Sequence, residues 1–211
     1  MEIVMIQNSS RPLCFAIGVV LAVLVLPFGI QAQERVGNAT AGISIVPPSG
    51  WHVTSMQEVM KNRSRVRLPD AQLEAGLQRA TAPLFVFSKY QEPHPTLSPT
   101  VQVVLRPRPA SLPTSATALL RIATVTLQKA FPDFAFVEPI QDVQVSGMSA
   151  AYMKATYTLR SASGEHPILS RTWLVPRGSF MFLIGMSGAR DGDDVSEAEF
   201  AAAFKSIAID K

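Results

Sequence analysis

The stretch that decides the fold is Ala150-Ala-Tyr-Met-Lys-Ala-Thr-Tyr-Thr-Leu-Arg160, together with the two runs that follow it. Apolar side chains at positions 153, 155, 157 and 159 alternate with Tyr152, Lys154, Thr156 and Thr158, which predicts a strand with one wet face. Residues 168–175 predict a second strand. Phe180-Met-Phe-Leu-Ile184 is apolar on both faces, which predicts a central strand covered on both sides. Together these runs predict an antiparallel meander.

The elements on either side of the meander indicate an α+β chain. Gly42-Ile-Ser-Ile-Val-Pro47 predicts a short strand that ends in the proline turn before Trp51. Residues 84–90 and 100–106 predict an antiparallel hairpin, and a short helix is the interpretation for residues 56–60. Apolar spacing predicts helices over residues 69–79 and 115–130, and a last helix after the capping-box sequence Ser196-Glu-Ala-Glu199. The predicted fold is an antiparallel sheet flanked by helices, an α/β/α sandwich.

The N-terminal residues have the pattern of a secretory signal. Arg11 precedes an apolar run over residues 13–30, and the small residue Ala32 follows it. We predict that residues 1–32 are a signal peptide and that the protein is secreted or periplasmic. The alternative is an uncleaved membrane anchor, because a bilayer is crossed by roughly 20 apolar residues. In that case the membrane contact would be made only through this segment.

The rest of the chain is the size of one domain. Residues 33–41 are polar and small and predict a flexible tether, and residues 42–211 predict a single domain. Cys14 is the one cysteine in the sequence and lies in the signal, so we expect a domain without disulfides, thiol nucleophiles or cysteine-ligated metals. The formal net charge of +3 is too small to indicate nucleic-acid binding.

Several motifs together resemble a known superfamily. Ile43-Ser-Ile-Val-Pro-Pro-Ser-Gly-Trp51 resembles the opening of the PsbP/Mog1 superfamily of small α/β/α sandwiches. Val145-Ser-Gly-Met-Ser-Ala-Ala-Tyr152 is similar to its strand-turn-strand, and Trp173-Leu-Val-Pro-Arg-Gly178 with Phe180-Met-Phe-Leu-Ile-Gly185 to its meander. Residues 200–207 are similar to its last helix. The resemblance, over roughly residues 42–209, implies a PsbP/Mog1-like binding, assembly or chaperone-like module, and no His/Asp cluster matches the metal sites of photosystem members.

Motifs that suggest catalysis or metal binding are weak. Gly185-Met-Ser187-Gly-Ala189 misses the second glycine of the hydrolase elbow, which favours a turn at a strand end over a nucleophile. His52, His94 and His166 are isolated, and none has the i, i+4 spacing at which two imidazoles share a metal. An acidic cluster does not fit a calcium loop and is interpreted as solvated: Asp191, Asp193, Asp194, Glu197 and Glu199. We predict no catalytic residue, no metal site and no cofactor.

One basic segment is the candidate binding face. Lys61, Arg63, Arg65 and Arg67 alternate, so an extended backbone would place all four cations on one side. Such a face could bind an anionic lipid, a glycan or a protein surface. The simpler interpretation is a solvated basic loop.

The sequence therefore predicts an exported, non-catalytic binding or accessory module of the cell envelope. Its partner would be a protein or an envelope component, and not a nucleic acid. One alternative is a carrier of a small apolar ligand, with Phe85, Phe87, Phe180 and Phe182 lining a cavity. A less favoured alternative is a serine hydrolase that uses Ser187 with His166 or His94.

Overall fold

The computed structural model describes residues 34–68, 70–92, 94, 96–161, 164–191 and 196–210. The predicted signal peptide lies outside the described residues. The described strands are β1 (Val36–Asn38), β2 (Ile43–Ile45), β3 (His52–Val53), β4 (Val66–Arg67), β5 (Phe85–Ser88), β6 (Thr100–Pro107), β7 (Ala135–Val145), β8 (Met148–Ser161), β9 (Gly164–Arg177), β10 (Phe180–Ala189) and β11 (Ala208–Ile209). The described helices are α1 (Met56–Arg65), α2 (Ala71–Gln78), α3 (Ala116–Ala130) and α4 (Glu197–Ser206).

The main sheet contains eight of the described strands, and all of its pairings are antiparallel. Its order is β3-β5-β6-β10-β9-β8-β4, and β7 pairs with another part of the β8 edge. The predicted meander is confirmed, because β8 pairs with β9 and β9 with β10. The predicted hairpin is confirmed as β5 with β6. β10 lies inside the sheet between β9 and β6, as its two-sided apolar sequence predicts.

The sheet has a buried layer on each face, which makes the predicted α+β sandwich. Side chains opposite each other in an antiparallel pair point to the same face of the sheet. The pairing register therefore assigns each side chain to one of the two faces. One face packs against α4 and the strands β2 and β11, and its fully buried side chains include Phe87, Val101, Phe182, Ile184 and Met186. The other face packs under α3 through Met153, Leu174, Leu119 and Leu120. Each such side chain stabilises the fold by about 1.5–3 kcal/mol through burial.

A second, three-stranded sheet has the order β1-β2-β11. The sequence predicts a flexible tether over residues 33–41, but Val36–Asn38 is a paired strand and Ala41 is buried. The prediction is therefore wrong for this part of the segment. A three-residue strand is too short to show an alternating pattern, and its pairing comes from Ile43–Ile45, which the sequence does predict as a strand.

Local signals place the starts of three helices. Ser55 and Glu58 form a reciprocal capping box at α1, Asp70 accepts from two N–H groups at α2, and Ser115 caps α3. The predicted capping box at α4 is wrong, because the Ser196 side chain makes no cap hydrogen bond to the helix. Glu199 instead accepts hydrogen bonds from Trp51 and Lys89. The main partners of the Glu199 carboxylate are therefore remote in sequence, and only a side-chain contact with Ser196 is local.

The segment that contains α1 and α2 crosses the sheet. β3 pairs with β5 and β4 pairs with β8, so α1 joins two opposite edges. Arg106 of β6, which shares the α3 face by alternation, donates to Thr81 Oγ1 just after α2 at 3.3 Å. The segment therefore lies on the same side of the sheet as α3. Among the described residues, no helix has the length and apolar content to cross a bilayer.

Candidate functional site

The basic segment does not form the extended four-cation face that its alternation predicts. Lys61, Arg63 and Arg65 lie in α1, and Arg67 lies in the short strand β4. Residues two apart on a helix point in nearly opposite directions, whereas residues four apart share a side. Lys61 and Arg65 therefore share a side of α1, and Arg63 does not. The alternation of the cations predicted the wrong conformation, because the capping box at Ser55 starts a helix that continues to position 65.

Arg63 is a structural residue and not part of an open binding face. Its Nη1 donates to the carbonyl oxygen of Ala80 at 2.7 Å, which ties α1 to the end of the α2 segment. Burial lowers the pKa of the Arg63 guanidinium, and the nearby charge of Arg106 lowers it further. The hydrogen bond to Ala80 directs this cation towards the α2 segment and away from solvent.

Arg65 and Arg67 each have an acidic neighbour. Arg65 Nη1 lies 3.9 Å from Glu92 Oε2, and Arg67 Nη1 lies 3.5 Å from Glu74 Oε1. All four side chains are partly exposed, and pairs of this kind contribute little to stability, typically about 0–1 kcal/mol. Neither pair therefore contributes much to holding the segment in place.

The outward side of α1 combines apolar and basic side chains. Met56 and Met60 are four residues apart and are 44% and 43% exposed. Lys61 and Arg65, also four residues apart, are both exposed beside them. α1 buries none of its residues, so the sandwich core does not explain why this helix is amphipathic. We refer to Met56, Met60, Lys61 and Arg65 as the α1 surface.

The motif around Ser187 is not a nucleophile elbow. Ser187 lies within β10, where it pairs with Thr100 on one side and Ser170 on the other. Its Oγ lies 3.1 Å from Thr100 Oγ1. His166 is four residues along β9 from Ser170, roughly 13 Å away at about 3.3 Å per residue. A serine in a regular strand lacks the strained turn that a hydrolase nucleophile needs.

The other histidines occupy structural or surface positions. His94 stacks on Tyr90, with 4.2 Å between ring centroids, and His52 is exposed in β3. His166 lies 3.2 Å from Ser161 Oγ. No group of three His, Cys, Asp or Glu side chains in the described residues is placed to hold a metal ion.

The acidic cluster is divided by the structure. Asp193 and Asp194 lie outside the described residues. Asp191 pairs with its neighbour Arg190, whereas Glu197 and Glu199 point back towards the sheet. Hydrogen bonding by Arg190 lowers the pKa of Asp191. The described members of the cluster therefore act as partners of cations within the fold.

The sequence analysis missed one feature, which is a buried cation beside α4. Arg171 of β9 is 7% exposed, forms an ion pair with Glu197 and lies over the Phe200 ring at 5.4 Å. Burial lowers its pKa, while Tyr152 and Glu138 oppose that shift. Burial and then the Glu138 charge raise the pKa of Tyr152 to about 12. The partners are remote in sequence, so no local pattern signals this cluster, which joins α4 to the sheet.

The four phenylalanines of the carrier hypothesis pack with one another and with the core. Phe87 and Phe182 are fully buried, Phe85 is 7% exposed, and Phe180 is partly buried against the same cluster. A separate pocket of about 470 Å³ lies at the start of α3. None of the four phenylalanines lines it; its wall is formed by Thr114, Ser115, Ala116, Asp142, Met148, Ser149 and Pro176.

Comparison with solved structures places this arrangement among known folds. The solution structure of cyanobacterial PsbP (CyanoP) from Synechocystis sp. PCC 6803 aligns with a TM-score of 0.51 and 12% identity, over 89% of this chain and 99% of that one. The chain has a PsbP-like fold. The PsbP-like resemblance of the sequence is thereby confirmed at the level of the fold, and identity this low shows nothing about activity or partner.

A second similar structure is LpqN of Mycobacterium tuberculosis, a protein involved in cell envelope biogenesis. Its TM-score is 0.47 with 14% identity, over 84% of this chain and 90% of that one. The sequence matches no family model and none of the curated proteins.

Proposed function

We propose that this protein is an exported, non-catalytic accessory module that binds a component of the cell envelope through the α1 surface. The observation that carries the proposal is that α1 presents Met56 and Met60 beside Lys61 and Arg65 without burying any residue of its own. Exposed apolar side chains that the fold does not use are typical of interaction surfaces. The cations would attract an anionic partner before contact.

Export is supported by the order of features over residues 11–32. A positive residue, an apolar run and a small residue precede the described domain. The domain is suited to an oxidising compartment, because residues 33–211 contain no cysteine. Its two core clusters are held together by apolar packing and contain no disulfide.

A binding role agrees better with the geometry than either alternative does. Ser187 lies in a regular strand, which argues against the hydrolase. The phenylalanines of the carrier hypothesis fill the core, which is the ordinary position for aromatic side chains on inward strand faces. The residues of the α1 surface, in contrast, belong to neither of the two core clusters.

The test is capture from an envelope extract with matched charge variants. Lys61→Glu/Arg65→Glu reverses the charges of the α1 surface, and Arg121→Glu/Lys129→Glu makes the same change on exposed positions of α3. The exported wild-type protein should capture a defined component, the α1 variant should lose it, and the α3 variant should keep it. Equal capture by all three proteins would reject the α1 surface.

A further inference from the structure

This inference rests on the proposed function and names the partner. We infer that the α1 surface binds a phospholipid bilayer with anionic headgroups, with α1 lying in the plane of the interface. An interfacial helix has low overall hydrophobicity, a distinct apolar side and cations on its polar side. In α1, Met56 and Met60 share one side, and Lys61 and Arg65 share another. Arg63 lies on the methionine side by its spacing, but its guanidinium donates to the carbonyl oxygen of Ala80.

The apolar part of the surface consists of the two methionines. Met56 and Met60 are four residues apart and therefore share a side of α1. Thioether side chains are flexible and adapt to an irregular environment. Two exposed side chains of this kind can enter the boundary between headgroups and acyl chains. Val53 is 63% exposed but is not part of this surface, because it pairs with Phe87 and so points to the α4 face of the sheet.

The charge of the segment complements an anionic surface. Residues 52–79 contain five Lys or Arg and three Asp or Glu, a net +2 out of the +3 of the whole chain. The three acids are engaged within the segment: Glu58 caps α1, Asp70 caps α2, and Glu74 accepts from the backbone N–H of Leu68. Lys61 makes no ion pair with any described residue, although it lies near the Glu58 carboxylate, and Arg65 lies 3.9 Å from Glu92, outside the segment.

The outer surface of α3 is less suited to this role. Ile122 and Val125 are 47% and 52% exposed, and Arg121 and Lys129 lie beside them. However, α3 buries five of its residues, and its amphipathic character is explained by the core. The carboxylate of Asp142, which accepts a hydrogen bond from Thr117, also offsets part of its charge.

A bilayer fits the α1 surface better than a folded partner does. The methionines are a little under half exposed on the surface of a helix, whereas peptide partners usually occupy a groove or pair with a strand edge. A fluid interface adapts to protruding side chains. Lys61 and Arg65 have stems long enough to place their charges at the headgroups while the methionines lie deeper.

The experiment measures binding to vesicles of phosphatidylethanolamine with phosphatidylglycerol, and to vesicles of phosphatidylcholine alone. The proteins are wild type, Lys61→Glu/Arg65→Glu, Met56→Ser/Met60→Ser and the control Arg121→Glu/Lys129→Glu, all recovered in the same exported form. Any residues retained before the domain contribute equally to vesicle binding by all four proteins. Lys61→Gln/Arg65→Gln serves as the milder variant if charge reversal disturbs folding.

We expect the wild-type protein to bind the anionic vesicles more tightly than the phosphatidylcholine vesicles. It should dissociate from them as the ionic strength rises. The charge variant should bind at least about tenfold more weakly, since each cation near an anionic surface is worth about 1 kcal/mol. The methionine variant should lose affinity by about tenfold as well. The α3 control should stay within about twofold of wild type.

Two results would overturn the inference. One is equal loss in the α1 and α3 charge variants, which would indicate attraction by net charge alone. The other is no vesicle binding by wild type, although an envelope protein is still captured through α1. That second result would leave the proposed function in place and assign the surface to a protein partner.

Discussion

Trp51 Nε1 donates a hydrogen bond to Glu199 Oε1 at 2.9 Å, across 148 positions of sequence. The same carboxylate accepts from Lys89 Nζ at 2.8 Å. The contact joins the proline turn after β2 to the first turn of α4, and the Trp51 ring also packs edge-on against Phe200 at 5.7 Å. Glu199 therefore fixes α4 on the sheet.

Replacing Glu199 with glutamine should destabilise the protein by about 1–2 kcal/mol, because a charge-assisted pair is lost while the size of the side chain is kept. Denaturant unfolding measures the change. Lys89→Met gives the second arm of a double-mutant cycle. Additive losses for the two substitutions would contradict a direct Glu199–Lys89 interaction.

The same pair predicts a pH dependence. Burial opposes ionisation of Glu199, but hydrogen bonds from Lys89 and Trp51 outweigh it, so the net effect lowers its pKa. A lowered folded-state pKa means that the stabilisation is present above the unfolded value of about 4.3 and is lost as pH falls through the folded pKa. The stability gap between wild type and Glu199→Gln should therefore shrink as the pH falls below the unfolded value of about 4.3. A gap that is constant with pH would contradict this assignment.

The predictability of the fold differs between local and long-range features. The alternation in β8 and the apolar run of β10 predict the meander, because side-chain period and burial are local properties of a strand. Glu199 was assigned to a local capping box, and the structure gives it to Trp51 and Lys89. A sequence pattern contains no information about partners that only the tertiary fold brings together.

The candidate site shows the same limit. The basic composition of residues 61–67 was recognisable, but the extended conformation assumed for it was wrong. Ser55 and Glu58 carried the helix signal, which the alternation of the cations obscured. The exposure of Met56 and Met60 was not predictable, because a methionine at helical spacing usually belongs to the core.

A side chain at Gly42 should be costly for two reasons. Its φ is +64°, and an added Cβ would lie 2.5 Å from Arg177 Nη1, which donates to the carbonyl oxygen of Ala41. Gly42→Ala should cost about 1–3 kcal/mol from the backbone conformation, and the guanidinium of Arg177 must also move away from its hydrogen bond to Ala41. Gly50 has a φ of +76° with nothing within 4 Å, so Gly50→Ala isolates the backbone contribution. Thermal unfolding should rank Gly42→Ala as clearly the less stable of the two variants, and equal stability would contradict the described Arg177 contact.

Substitution of Phe182 tests whether the aromatic cluster is a packed core or a ligand cavity. It is fully buried and contacts Phe180 edge-on at 5.6 Å. Phe182→Ala should lower the free energy of unfolding by about 3–5 kcal/mol, as in other well-packed cores. Native mass spectrometry of the wild type should show the mass of the protein alone. A co-purifying apolar molecule, together with little loss of stability in the variant, would favour the carrier alternative.

Ser187→Ala should affect stability and not catalysis. It removes the partly buried hydrogen bond to Thr100, which is worth about 0.5–1.5 kcal/mol. Thr100→Val should have a similar effect, because it removes the same contact. If the protein hydrolysed an ester substrate and Ser187→Ala abolished that hydrolysis, the assignment of this serine to a structural role would be wrong.

The most direct measurement places a dye on the α1 surface of the exported protein, expressed with Cys14→Ser so that one introduced cysteine carries the label. An environment-sensitive dye at position 60 is compared with one at position 126, on the exposed side of α3. With anionic vesicles, the position 60 dye should shift to the blue and be shielded from an aqueous quencher, while the position 126 dye remains accessible. A dye at position 60 that stays in water, or equal shielding at both positions, would contradict binding through α1.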